Sequence, residues 1–455
     1  MKTTSIRAKA LACALLAGTA CCGLTAAPAS AQTAPTYRNL DSNGVDLVKG
    51  DFLASFAEGS IGSGDSELAL LRMLGAIGGF GARGSSQWDH IVFQMSPGGN
   101  SVTFNTRRDL FPAAESRGAS LTGSGAQYFY RSPDGTRIEF TDPSPGNDPL
   151  YCDGIRTDCL LLPTNITSPD GKTVTINYEF YVRCVSPGGP DSTVCQNVAR
   201  IASVANSFGY EIRFAYAAGT GGTGPVSPDF HKRTGASFYN NAAGSSPLAS
   251  VSYSYPSAGV TDVTDQGGRV WRVTSGSTSY AIRRPGASSD TLSASLSGGV
   301  VTSVTNEGVT TNYSRSVSGS IATMTVTNAL SQSSTIVSDL TIGRPTSVTD
   351  PLSHTTSFTY DSSGRPKRTT AHEGNYVEHS YDARGNVTQT VAVPKGGSGP
   401  TILTSASYDS TCSNPVTCNQ PNSATDARGN VTDYTYDSTH GGVLTVTAPA
   451  VGGVR

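Results

Sequence analysis

The C-terminal half of the chain repeats itself at a fixed spacing, and this restricts its fold more than any other feature. The segment PTSVTDPLSHTTSFTYD from Pro345 to Asp361 aligns without a gap on PNSATDARGNVTDYTYD from Pro421 to Asp437. A third copy, PKRTTAHEGNYVEHSYD from Pro366 to Asp382, is displaced from the first by 21 residues. Tyr360-Asp361 therefore recurs as Tyr381-Asp382 and Tyr436-Asp437, and Gly343, Gly364 and Gly385 keep the same spacing. Asp350 is matched upstream by Asn306 and Asn328 and downstream by Asp426 (with Gly429 beyond it) and Ala448, in steps of 21 or 22 over the regular stretch. A period of this size describes one supersecondary unit stacked on its neighbours.

The residues within a unit say what that unit is. Pro345 to Thr349 and Thr355 to Tyr360 are short runs rich in β-branched and aromatic residues, separated by Asp350-Pro351-Leu352-Ser353 and closed by Asp361-Ser362-Ser363-Gly364. That is strand, turn, strand, turn. Asp and Asn suit such turns because their short side chains bond the backbone two residues on, and Gly suits positive φ. Phe358 and Tyr360 lie two apart and so share a sheet face, as do Tyr434 and Tyr436. Stacked copies are expected to align those rings into a ladder. The expectation is an all-β chain of stacked antiparallel hairpins forming an extended or spiralling sheet. Turn-then-strand character at Thr264 to Trp271, preceded by Tyr253 and Tyr255, places the start of the array near residue 250.

Upstream, Ser132-Pro133-Asp134-Gly135 and Ser168-Pro169-Asp170-Gly171 each precede a β-rich run, which extends the β reading over residues 100 to 250. The apolar stretch Glu67 to Ala76 fits a helix on pattern alone. The first residues read as an address: Lys2, Arg7 and Lys9 precede an Ala/Leu-rich run, and Ala29-Ser30-Ala31 suits a signal peptidase, so cleavage is expected before Gln32. The organisation is then a signal peptide at 1–31, a β-rich region at 32–250 and the repeat array at 251–455. No later stretch has the apolar length of a membrane-spanning helix. An exported chain is the expectation, periplasmic, surface-bound or secreted.

A formal charge of −2, with both signs interspersed, supplies no field for a phosphate backbone, so nucleic acid is not an expected partner. Outside the address, six cysteines fall as three neighbouring couples: Cys152 with Cys159, Cys184 with Cys195, and Cys412 with Cys418. In an exported chain these are candidate disulfides, each closing a turn-rich loop. The third couple sits in surplus residues: between Asp382 and Asp426 the spacing exceeds two units, and the excess lies at Pro394 to Pro400 and Cys412 to Cys418.

The strings TDPLSHTTSFTYDSSGR, YDARGNV and TDARGNVTDYTYD resemble the tyrosine-aspartate repeats of RHS proteins, a group of bacterial surface and secreted proteins with relatives among animal teneurins. Asn43 to Phe52 and the Gly-rich passage leading to Trp88-Asp89-His90 are similar to the entry segment of such proteins, and by its place in that resemblance Glu67 to Ala76 is read as strand. The resemblance implies a continuous spiralling sheet, often closed as a hollow shell, which in many members encloses a C-terminal toxin domain. It also implies a possible partner downstream. This chain stops at Arg455 without a terminal core motif, which reads as a truncated or split member.

Catalytic signatures are weak. Asp350, Ser353 and His354 share a turn and superficially make a triad, yet the repeat puts Ala371, Gly374 and Asn375 in their places, which marks the slot as a turn. His379 replaces Phe358 and reads as an aromatic substitute. Asp41, Asn43 and Asp46 look like the start of a calcium loop, but its twelfth position is Phe52 instead of a bidentate Glu. No catalytic, metal or cofactor residue is therefore assigned. The expected function is a non-enzymatic structural or encapsulating module. A surface module binding carbohydrate is the alternative, and a secreted hydrolase the weakest reading. Exposed outer tyrosines would favour binding, and tyrosines held within the array would favour a shell.

Overall fold

The computed structural model describes residues 40–449, apart from 76–85, 95–99, 105–106, 112–118, 133–134, 143–159, 169–170, 186–193, 221–226, 228, 363, 398, 415 and 440. The expected signal segment and the Cys152–Cys159 couple lie outside the described residues.

Among the described residues the fold is all-β: strand accounts for 59% and helix for 3%, in a 26-strand antiparallel sheet. From Ser120–Ser124 to Val443–Thr447 each strand pairs with the next in sequence. This meander follows from the short strand runs and tight turns, since a connection of a few residues can only return the chain antiparallel beside itself. The pairing passes through residue 250 without a break, because Arg233–Asn240 pairs with Ala249–Ser257. A smaller group of Val92–Gln94, Asn100–Phe104 and Arg107–Phe111 joins the sheet where Val92–Gln94 pairs with Leu160–Thr167. Among the described residues no helix is long and apolar enough to cross a membrane.

The apolar stretch with helical pattern is a strand. Leu68–Gly75 pairs with Leu53–Ile61 as a separate hairpin, and alternate residues along it are buried. Leu68, Leu70 and Leu74 join one core with sheet residues such as Phe238, Val251 and Val263. A lone two-stranded hairpin is marginal in water. Burial against the sheet is what makes this one stable.

The segment leading into the hairpin lies across the sheet as a strap, and its contacts advance along the array. Phe56 stacks on Trp271 with centroids 4.5 Å apart, and Phe52 stacks on Tyr280 at 5.6 Å. The Gly50 carbonyl accepts a bond from the Val301 amide at 2.9 Å, and the Val48 carbonyl accepts one from Arg315 Nε at 2.9 Å. The Tyr313 hydroxyl donates to Asp41 at 2.5 Å and accepts from the Asn43 amide at 2.9 Å. Gly50 is required twice over. Its φ is +82°, and an added Cβ would stand 2.6 Å from Val300 Cγ1.

Candidate functional site

Two structural devices carry the functional reading: the repeat unit and the docked strap. The repeat turns at Asp350, Asp382 and Asp426 are built the same way. Asp350 Oδ1 accepts the amides of Leu352 and His354, both at 2.9 Å. Asp382 does the same for Arg384 and Asn386, and Asp426 for Arg428 and Asn430. The fourth residue of the turn then takes positive φ: Gly364 at 70°, Gly385 at 93° and Gly429 at 82°. Ser353 holds the same place at 67° without being glycine. These acceptor bonds stabilise the ionised carboxyl, so the amide of His354, before the other causes, lowers the pKa of Asp350, and the Asn430 side chain lowers that of Asp426.

The repeat tyrosine closes the other end of the hairpin. The hydroxyl of Tyr360 donates to the Pro345 carbonyl at 2.5 Å, that of Tyr381 to Pro366 at 2.5 Å, and that of Tyr436 to Pro421 at 2.8 Å. Tyr178 to Pro163 and Tyr216 to Ile201 repeat the bond upstream of the recognised array, at 2.8 and 2.6 Å. Neighbouring units are joined by arginine. Arg365 pairs with Asp361, lies over the Tyr381 ring at 4.7 Å, and donates to the Asp382 carbonyl at 2.8 Å. Alongside any ring ladder, the tyrosines thus hold the array by hydroxyl bonds and by cation–π contact. Sequence pattern did not reveal this.

Tyr408-Asp409 is a further copy of the dipeptide that the sequence alignment missed. Tyr408 bonds the Val387 carbonyl at 3.1 Å, with burial pushing its pKa up to about 12. The residues around Lys395–Gly397 lengthen that hairpin and hid its register. Asp409 caps Thr411 and Ser413 as the other turn carboxylates do. Beyond it Cys412 and Cys418 form a disulfide with Cα atoms 4.8 Å apart. Cys184 and Cys195 face one another in the backbone register of Thr173–Val185 and Val194–Asn206, while their side chains lie outside the described residues.

Buried charge that sequence reading did not single out joins the hairpin and the Trp88-Asp89-His90 passage to the sheet and also pairs within it. Glu58, on the hairpin, pairs with Arg72 and accepts the Tyr253 hydroxyl of the sheet. Asp89, from the Trp88-Asp89-His90 passage, accepts Arg233 at 3.0 Å and the Ser86 amide at 2.8 Å. Burial by itself would lower the pKa of Arg233, yet the Asp89 charge beside it raises it overall. Arg200 pairs with Glu179 at 2.6 Å and lies over the Tyr216 ring at 4.0 Å. One acidic and one basic residue on facing strands of a mostly apolar hairpin, Glu58 and Arg72, were the available signal.

The remaining candidates stand as follows. His354 Nδ1 lies 3.2 Å from Asp350, and its ring stacks on His372 at 4.1 Å, on an exposed turn edge. Asp41 caps the amides of Asn43 and Val45, as a turn residue does. Among the described residues no group of three or more metal-ligating side chains converges.

Residues 341–375 and 360–398 match the RHS repeat family. No curated protein matches the sequence. Solved structures that it resembles include the Photorhabdus luminescens Tc holotoxin pore with a TccC3 substitution, 11% identical over 75% of this chain and 19% of that one, with TM-score 0.30. Others are TcdB2-TccC3-TEV, 13% identical over 83% and 17%, with TM-score 0.24, and TcdB2-TccC3 without its hypervariable C-terminal region, 11% identical over 84% and 21%, with TM-score 0.25. The chain thus spans about a fifth of the length of those proteins. Repeated turn carboxylates, tyrosine bonds and the matched segment lead to one assignment: residues 341–398 of this chain are RHS repeats.

Proposed function

We propose that the chain is a structural, encapsulating module of an exported bacterial shell, with no catalytic role of its own. The observation that supports this is a gradient of cover along one sheet face. Cross-strand register places Met324, Ile336, Val348, Phe358, His379, Ile402 and Val446 on a common face. Met324, near the strap, is 0% exposed, whereas Ile402 is 57% and Val446 54% exposed on the uncovered part. Leu444 adds a further apolar side chain at 63%. An apolar face of this extent needs an occupant, and an enclosed, unfolded polypeptide cargo is the occupant that the RHS resemblance suggests.

The carbohydrate-binding alternative is less well supported, because the repeat tyrosines are half-buried with their hydroxyls bonded inside the array. Division into a signal peptide, a region at 32–250 and the array at 251–455 belongs to this same reading. So does export.

The test is to fuse an unfolded reporter polypeptide after Arg455 and measure its resistance to protease. Protection that disappears in Leu444→Asp/Val446→Asp supports encapsulation. A reporter digested as fast as the free peptide sinks it, and glycan-array binding by the unfused chain would then put the surface-binding reading first.

A further inference from the structure

The cystine loop is joined to the turns on both sides of it. Arg384, in the turn after Tyr381-Asp382, donates to the carbonyls of Asp409, Ser410 and Cys418, and to Asn419 Oδ1 at 3.2 Å. Asn386 from the same turn also reaches Asn419, at 3.2 Å. On the other side, Asn414 Nδ2 donates to the Ser438 carbonyl at 2.8 Å, and Gln420 Nε2 to the Gly441 carbonyl at 2.7 Å. The loop thus bridges the turn at Asp382–Asn386 and the turn at Asp437–Gly442, while the described residues of 408–422 contribute no strand to the sheet.

The bridge depends on the loop keeping its shape. Most of its contacts to the two flanks are side chain to backbone, with Val416 and Gln420 packed where a Cβ on Gly441 would fall. Cys412 sits at φ +50°, a conformation that a non-glycine residue holds only when its surroundings require it. The strand beyond the bridge has little else to hold it. Val443–Thr447 pairs only with Val431–Tyr436 among the described residues, and all five of its side chains are exposed.

We propose that the Cys412–Cys418 disulfide is a redox-sensitive latch that fastens the last described hairpin, Val431 to Thr447, to the preceding repeats. A dithiol of low molecular weight passes two electrons and two protons to the cystine. Cys412 and Cys418 leave as thiols, and the dithiol becomes its cyclic disulfide. The loop then loses its closure, Arg384 and Gln420 lose their fixed partners, and the terminal hairpin frays while the rest of the array stays paired.

The experiment is amide hydrogen exchange on the full chain, oxidised and after treatment with dithiothreitol, beside the Cys412→Ser/Cys418→Ser variant. Reduction should speed exchange at the paired amides of 431–447 by tenfold or more and leave those of 300–340 unchanged. The double variant should exchange fast in 431–447 without reductant and should not respond to it there, which separates this disulfide from any other cystine. Unchanged exchange in 431–447 on reduction overturns the latch, as does a reductant response there that persists in the double variant.

Discussion

Tyr360 donates its hydroxyl to the carbonyl of Pro345, fifteen residues earlier and at the start of the preceding strand. The bond ties the second strand of the hairpin to the beginning of its partner, and it recurs at Tyr381 with Pro366 and Tyr436 with Pro421. The tyrosine of the repeat signature is therefore a clasp whose polar end is as much part of the fold as its ring.

Removing only the hydroxyl isolates that clasp. Tyr360→Phe should lower unfolding stability by about 0.5–1.5 kcal/mol, the net worth of one such bond. Tyr381→Phe should cost a similar amount, since its environment repeats. Urea denaturation checks both, and unchanged midpoints for the pair would show that the ring alone matters.

Turn conformation gives a second measurement. Ser353 takes φ 67° where Gly364, Gly385 and Gly429 take 70°, 93° and 82°. Ser353→Gly should therefore stabilise the chain by roughly 0.5–1 kcal/mol. Gly429→Ala should destabilise it by about 1 kcal/mol for conformational reasons alone, because a Cβ there meets nothing within 4 Å. Thermal melts of the two variants should move in opposite directions.

One turn lacks its carboxylate. Ala371 occupies the place of Asp350 and Asp426, and its turn keeps the backbone bond from the Ala371 amide to the Asn375 carbonyl at 2.9 Å. Ala371→Asp should add acceptor bonds to the amides two and four residues on, as at Asp426. We expect a gain of about 0.5–1.5 kcal/mol, read as a rise in the denaturation midpoint. A loss would mean that the nearby Glu373 charge outweighs the new bonds.

The buried ion pair of the entry hairpin should behave as a coupled pair. Arg72→Met leaves Glu58 unpaired beneath the sheet and should cost about 3–5 kcal/mol. Arg72→Met/Glu58→Gln should recover part of this, because the remaining group is neutral and can still bond Tyr253. A double variant no more stable than the single one would contradict the electrostatic account.

His379 sits where the preceding repeat has Phe358, and burial lowers its pKa from 6.5. The unfolded chain then binds a proton more readily than the fold. Stability is complete above pH 6.5 and declines as pH falls through that value toward the lowered one in the fold. His379→Phe should remove this component, so a stability profile taken below pH 6.5 should be flatter than that of the parent chain. Identical slopes would show that the imidazole titrates as freely in the fold as in the unfolded chain.

Sequence by itself determined the all-β class, the hairpin unit and, through its place in the resemblance, the strand at Leu68–Gly75, and it offered Cys412–Cys418 as a candidate pair. Each of these is local. A turn carboxylate reaches amides two and four residues away, a strand pairs with its successor, and the two cysteines are six apart. Tertiary structure alone decided that Tyr408-Asp409 belongs to the series, since only strand register shows its hydroxyl at Val387 despite the inserted residues. It alone placed Glu58 beside Tyr253, 195 positions apart, and Asp41 beside Tyr313, 272 apart. No periodicity encodes such contacts. They form because the entry strap, too short to bury its own apolar side chains, finds its core against a sheet assembled by later residues.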